Sequence, residues 1–334
     1  GMVLYENDAL GNVIRIENAQ DIIKYEYDVL GRMVAKYEKN LTHNMKKTIV
    51  WEYDTSEGRN GTLAKIMTTN NHNIEYEYDD KLRLISTSEH IKDRVFKTNY
   101  TYDKANRISS LTYPSGFCVF KKYSNTGYER EVRDAKTQAV LWKTNKTNSM
   151  GYITEYQLGN GLKTQYSYDP RNFMIENIVT TRGNVILQNM EYEYDGKCNM
   201  TSRCDLKNYN REEFEYDSYD RLTKMILNGE VTGMMKYHTN GNITEKTING
   251  VKVMYNTTYA GNKPNAIVSV RSEDEKMYDR FKQKIEYSLD KAISIEDDGD
   301  ILIMDYGYDN SRMYMAAKID GKIKEKFYVG NCEF

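Results

Sequence analysis

One short pattern constrains this 334-residue chain more than any other feature: aromatic-x-Tyr-Asp, written eight times. It stands as YEYD at 25, WEYD at 51, YEYD at 76, YTYD at 100, YSYD at 166, YEYD at 192, FEYD at 214 and YGYD at 306. First positions fall 26, 25 and 24 residues apart from Tyr25 to Tyr100, and 26 and 22 apart from Tyr166 to Phe214. The 66-residue gap between Tyr100 and Tyr166 holds worn copies, YSNTG at 123 and WKTN at 142. Others are YEND at 5, YHTNG at 237 and YNTT at 255. A period in the twenties marks stacked supersecondary units, none able to bury its apolar face alone. The expectation is a single array spanning 1–334, about 14 hairpin units, with degenerate copies around 113–150 and 237–300.

Each unit reads as a β-hairpin. Rings two residues apart share one face of a strand. The pairs are Tyr25/Tyr27, Trp51/Tyr53, Tyr76/Tyr78, Tyr100/Tyr102, Tyr166/Tyr168, Tyr192/Tyr194, Phe214/Tyr216 and Tyr306/Tyr308. The aspartates that follow (Asp28, Asp54, Asp79, Asp103, Asp169, Asp195, Asp217 and Asp309) stop the strand, because a carboxylate accepts from backbone N–H groups just beyond it. In four copies an arginine comes four positions later: Asp28/Arg32, Asp79/Arg83, Asp103/Arg107 and Asp217/Arg221. The third intervening residue is Gly31, Leu82, Asn106 or Asp220, and a three-residue hairpin loop wants a left-handed residue there. Leu82 is the misfit. The return turns often carry Asn-Gly, at 60, 160, 228, 240 and 249, which suits two-residue type I′ turns. Each Asp/Arg pair reads as a clamp across the hairpin mouth and not as a binding site. An exposed pair contributes only about 0–1 kcal/mol, so register is its role.

Tyrosine, at 30 residues against 8 phenylalanines, needs its own reason. Rings on strands about 4.8 Å apart are expected to pack into ladders while their hydroxyls reach water or a polar partner. A mean hydropathy of −0.77 fits a sheet whose faces are not sealed in a dry core. Only 3 prolines occur where average usage near 5% would give roughly 17. With so many aromatic and β-branched residues in alternating runs, disorder is excluded in favour of strands. Roughly 28 strands laid flat would span on the order of 130 Å, and open twisted sheets rarely exceed about 10 strands. The sheet must therefore coil into a spiral or break into sandwiches.

Charge excludes some partners. The 47 basic and 49 acidic residues nearly cancel, and no basic stretch interleaves with aromatics, so no nucleic-acid surface is expected. No run of 18 apolar residues predicts a membrane span. The Gly1-Met2 start reads as an expression remnant ahead of a cut-out fragment. Cys118, Cys198, Cys204 and Cys332 are too scattered for a disulfide framework, and the neighbours Cys198 and Cys204 read as free thiols. His43, His72, His90 and His238 sit in separate units without ligand spacing. The run Glu296-Asp297-Asp298-Gly299-Asp300 lacks the ligand order of a calcium loop, and Asp298-Gly299 reads as a turn. No catalytic, cofactor-binding or metal-ligating set is expected, and eight equivalent turn aspartates are not a hydrolase pair. The segment RSEDEKMYDRFKQK, 271–284, breaks the rhythm and reads as either a short amphipathic helix or a charged hairpin tip.

The complete motif Y-x-Y-D-x-x-G-R at Tyr25–Arg32 resembles the YD repeat of bacterial Rhs proteins, which also occurs in TccC-type subunits of insecticidal toxin complexes and in teneurins. NKPNAIVSV at 262–270 and MDYGYDNSRMYMAAKIDGKIKEKFYVGN at 304–331 look like the stretch preceding the Rhs core region, especially in Bacteroidetes-type members. The resemblance implies an all-β strip of hairpins spiralling into a hollow shell. It further implies that the shell encloses a variable C-terminal domain, commonly a toxin, which is the expected partner, in a secreted or cell-surface protein. Self-cleavage is not carried over, because no DPxG signature appears and Asp169-Pro170-Arg171-Asn172 is an ordinary repeat turn. A non-enzymatic scaffold is thus the leading expectation. The alternative is a carbohydrate-binding adhesion module using exposed tyrosine rows, and bare edge strands suggest self-association.

Overall fold

A computed structural model describes residues 2–41, 44–56, 58–259, 267–274, 284–288, 291–297 and 299–334. The described chain is all β. Strands β1 (Leu4–Asn7) to β24 (Ile267–Arg271), numbered in chain order, form one 24-stranded sheet that does not close into a barrel. Strands β25 (Lys284–Ser288), β26 (Lys291–Asp297), β27 (Asp300–Tyr306), β28 (Arg312–Ile319), β29 (Lys322–Val329) and β30 (Cys332–Glu333) form a second sheet. Every pairing among the described residues is antiparallel and joins chain neighbours, from β1 to β24 in one sheet and from β25 to β30 in the other. Two-residue and three-residue loops suffice to reverse the chain at most of these steps, so a ribbon grows by local contacts alone.

The meander has two unlike edges. The strands that end in the tyrosine motif turn at one edge, called here the Asp edge. At β3 (Asp21–Tyr27) and β4 (Met33–Asn40) the register shifts beside Tyr27, then Asp28 N donates to Arg32 O and Gly31 N to Asp28 O, both at 2.9 Å. This is the three-residue loop with a bulge that the spacing predicts. Left-handed residues occupy its third position as expected: Gly31 at φ 75°, Leu82 at 60°, Asn106 at 61° and Asp220 at 61°. The opposite edge carries the plain return turns, among them the Asn-Gly pairs at 160, 228 and 249, whereas those at 60 and 240 lie in Asp-edge loops.

Surface area shows that the ribbon is no globule. The chain exposes 21216 Å², whereas a compact monomer of 39.1 kDa would expose about 14,000 Å². Two buried apolar clusters exist among the described residues, and both lie where the ribbon comes back on itself. Ile91, Phe96, Met313, Tyr314, Phe327 and Val329 form one, and Ile49, Ile66 and Ile74, with Trp51, Tyr76 and Tyr308 against them, form the other. The Asp edge of β27 to β30 thus packs on the plain edge of β5 (Lys46–Tyr53), β6 (Leu63–Thr68), β7 (His72–Tyr78), β8 (Leu84–Ile91) and β9 (Arg94–Tyr102). Of the two outcomes left open by strand count, coiling is the one observed.

Some expectations fall elsewhere. His43, Asp298 and most of the 271–284 segment lie outside the described residues. All four cysteines are free. Cys198 sits in a turn at φ 67°, while Cys204 lies in β18 (Met200–Asp205).

Candidate functional site

The Asp edge is built from one repeated device. In the first full copy, Asp28 Oδ1 accepts from Leu30 N and Arg32 N, both at 2.9 Å, while Oδ2 accepts from Arg32 Nε at 2.7 Å. Asp79/Arg83, Asp103/Arg107 and Asp217/Arg221 repeat it, with Nε–Oδ2 distances of 2.7, 2.8 and 2.7 Å. Hydrogen bonds from the arginine, through its backbone at Asp28 and Asp103 and its side chain at Asp79 and Asp217, hold these carboxyls below the usual aspartate range. Both oxygens of each carboxylate are thus engaged within its own turn. Asp195 keeps the scheme with Asn199 in place of arginine, and Asp169 pairs with Arg171 instead. Asp54 caps a longer loop through Ser56.

The arginine also reaches forward. Arg32 lies over the Tyr53 ring at 4.1 Å, Arg83 over Tyr102 at 4.7 Å, Arg107 over Tyr123 at 4.4 Å and Arg221 over Tyr237 at 4.7 Å. Each of those tyrosines donates its hydroxyl to the carbonyl just after the same arginine: Tyr53 to Met33, Tyr102 to Leu84, Tyr123 to Ile108 and Tyr237 to Leu222, at 2.7–3.1 Å. Tyr27, Tyr78, Tyr168, Tyr216, Tyr259 and Tyr306 make the matching bond to Val13, Leu63, Ile153, Met200, Ile243 and Ala292. Aspartate, arginine and the next unit's tyrosine therefore form a relay that locks one hairpin to its successor. This coupling was missed in the sequence, though a signal exists. The first motif position takes Tyr, Trp or Phe, while the second is always Tyr.

Two expectations need correction. Among the described residues a continuous ladder of rings does not form, because motifs recur on every second strand and, in four units, the guanidinium lies over the next unit's ring. Among the described residues ring contacts come in patches, such as the tilted pairs Tyr156–Tyr166 at 6.0 Å and Tyr166–Tyr168 at 6.2 Å, where burial and the Tyr156 hydroxyl raise the Tyr166 pKa to about 12. In YGYD at 306 the frame slips by two. Tyr306 ends β27 and takes the second-tyrosine role, Gly307 takes the Asp position, and Tyr308 and Asp309 lie in the turn. The first-position residues Tyr25, Tyr76, Tyr100 and Tyr192 and the second-position Tyr194 are half-buried, as the motif rings generally are.

That displaced turn forms the seam. Lys47 Nζ donates to Tyr306 O at 2.8 Å and Gly307 O at 2.7 Å, and Asn70 Nδ2 donates to Tyr306 O at 3.1 Å. Lys92 pairs with Asp305, and Tyr308 packs edge-on to Trp51 and beside His72. His72, 3% exposed, meets Glu89 Oε1 at 2.8 Å through Nε2. Behind them Lys36 and Glu38 form a buried ion pair, and Glu38 lines a cleft of about 120 Å³ with Asn40, Lys47, Asn70 and Asp305. Burial lowers Lys47, partly offset by Glu38. At Asp309 burial acts upward, but hydrogen bonds from Ser311 outweigh it and hold the carboxyl low. Of the other described histidines, His90 faces Glu75 at 3.9 Å and His238 stands in an Asp position, where its backbone accepts from Arg221. Among the described residues no group of three metal-ligating side chains forms, and no helix is long and apolar enough to cross a membrane.

No protein-family model and no curated protein matches the sequence. Solved structures do. A TcdB2-TccC3-Cdc42 crystal structure aligns with a TM-score of 0.79 at 16% identity, covering 99% of this chain and 20% of that one. A Photorhabdus luminescens Tc holotoxin pore, carrying a point substitution in TccC3, gives 0.78 at 17% over 99% and 20%. TcdB2-TccC3 without its hypervariable C-terminal region gives 0.77 at 16% over 99% and 20%. The chain spans about a fifth of the length of these neighbours and shares their fold.

Proposed function

We propose that this chain is a non-enzymatic scaffold: a single YD-hairpin array that forms part of an Rhs-type shell in a secreted protein, enclosing or presenting a C-terminal effector domain. One observation carries the reading. The ribbon returns and buries its Asp edge against its own plain edge through Lys47, His72 and the Phe96–Phe327 cluster. A strip that only bound ligands on an open face has no need of that seam, whereas a wall stacked tier on tier requires it. The likeness to toxin-complex chains supports the same reading at the level of fold. The motif tyrosines, half-buried and in several units covered by arginine, leave few open ring faces for a sugar.

The test uses the full-length protein. Electron microscopy is expected to show a closed wall with density inside it, and limited proteolysis is expected to spare the enclosed segment until the wall is denatured. An open ribbon with a freely digested effector segment overturns the proposal.

A further inference from the structure

Every second strand from β3 to β23 (Val251–Tyr259) runs to the Asp edge, and each of them ends in tyrosine except β13 (Val140–Thr147). In a regular unit that last tyrosine packs against the preceding unit's arginine and donates its hydroxyl to the carbonyl after it, as Tyr53 does with Arg32 and Met33. Threonine at 147 is too short to do either.

In the unit before β13, Tyr128 holds the arginine's place. Ser124 N donates to Tyr128 O at 2.8 Å and Tyr128 N to Ser124 Oγ at 3.1 Å, as Asp28 and Arg32 do in the first full copy. The reach toward the next turn is matched as well: a methyl on Gly151 would meet the Tyr128 hydroxyl at 3.3 Å, and one on Gly61 would meet Arg32 Nη1 at 3.4 Å. Where the relay's ring would lie, Tyr128, Glu129, Thr147 and Gly151 line a cleft of about 290 Å³. Tyr128 is 60% exposed beside it. Thr144 lines the same cleft at 8% exposure, and its Oγ1 has no hydrogen-bond partner among the described residues.

The following unit shows what such a place accepts. Tyr152 again stands where arginine would, with Asn148 N donating to its carbonyl at 2.9 Å. Tyr168 stacks on it at 5.6 Å, the planes 28° apart, and donates its hydroxyl to Ile153 O at 3.0 Å. We propose that the cleft at Thr147 binds a phenol ring that β13 does not supply, stacked on Tyr128 with its hydroxyl on the Glu129 carbonyl. Thr144 Oγ1 adds a second polar contact at the rim. A diffusible phenolic molecule and a tyrosyl side chain from another segment carry the same chemistry, so the experiment separates these two sources. The inference stands on the relay's geometry and does not depend on what the wall encloses.

Titration of the 334-residue chain with p-cresol, followed by the amide chemical shifts of Tyr128, Thr147 and Gly151, tests it. Saturable shifts are expected on the order of millimolar p-cresol, since one stacked ring and one hydrogen bond are modest contributions. Toluene, which lacks the hydroxyl, is expected to bind about fivefold more weakly. Tyr128→Ala is expected to weaken p-cresol by about fivefold or more. Thr147→Tyr supplies the ring from β13 itself and is expected to abolish the shifts and raise the urea midpoint. Circular dichroism checks that both variants retain their strands. In the full-length protein, shifts that persist assign the site to a diffusible phenol, and shifts seen only in the 334-residue chain assign it to a tyrosyl group of the same polypeptide. No saturable shift at these amides, toluene binding as well as p-cresol, or binding undiminished by Thr147→Tyr overturns the inference.

Discussion

At the residue scale the turn obeys backbone sterics and hydrogen-bond saturation. Leu82 occupies a left-handed position at φ 60°, where a Cβ costs roughly 1–2 kcal/mol. Leu82→Gly is therefore expected to stabilise by about 0.5–1 kcal/mol after the extra freedom of an unfolded glycine is subtracted, read from denaturant midpoints. Gly31→Ala is expected to lose about 1 kcal/mol, a purely backbone effect, since nothing lies within 4 Å of the added methyl. The aspartates carry a pH signature. Their folded pKa values lie below the ordinary 3.8, so their stabilisation is full above that value and is lost as pH falls through the folded values. Thermal melts between neutral and strongly acid pH are expected to show a falling limb there, shallower in Asp79→Asn. The turn itself was readable beforehand, because five consecutive residues contain all of it.

At the scale of the element, the second tyrosine does what phenylalanine cannot. Tyr102→Phe removes the bond to Leu84 O and is expected to cost about 0.5–1.5 kcal/mol, while Tyr100→Phe, one motif position earlier, is expected to stay within about 0.5 kcal/mol. Chemical denaturation of the two variants distinguishes a hydroxyl tied to one position from a general preference for rings. Arg83→Lys keeps the charge yet loses both the fork on Asp79 and the planar face over Tyr102, so it is expected to behave like a loss of the relay. Burial raises Tyr78, Tyr102 and Tyr216, so their stabilisation is full below the ordinary 10.0 and is lost as pH rises through the folded values. Part of the phenolate absorbance is expected to rise only with alkaline unfolding. The hairpins were legible in the sequence from their two-residue alternation. The relay was not, because its members lie on successive units and nothing in the Asp/Arg spacing says which ring the guanidinium covers.

At the scale of the whole molecule, the two buried apolar clusters among the described residues both belong to the seam. Phe327, 1% exposed, joins Phe96 and Tyr314 there, and Phe327→Ala is expected to cost about 3–5 kcal/mol. Gly307→Ala places a methyl 3.0 Å from His72 Cε1 and is expected to loosen the same contact. In both variants solution scattering is expected to show a larger radius of gyration with the strand signal of circular dichroism kept. Unchanged scattering would mean that the seam does not hold the curve. The sequence by itself determined the β-hairpin unit, its turn chemistry and the repetition that makes a ribbon, since each of those is settled by residues within one or two units of each other. Only the tertiary structure decided which units meet. Lys47 reaches Tyr306 and Gly307 across 259 and 260 residues, and that meeting depends on a small twist at every strand summed along the ribbon, a quantity no single motif contains.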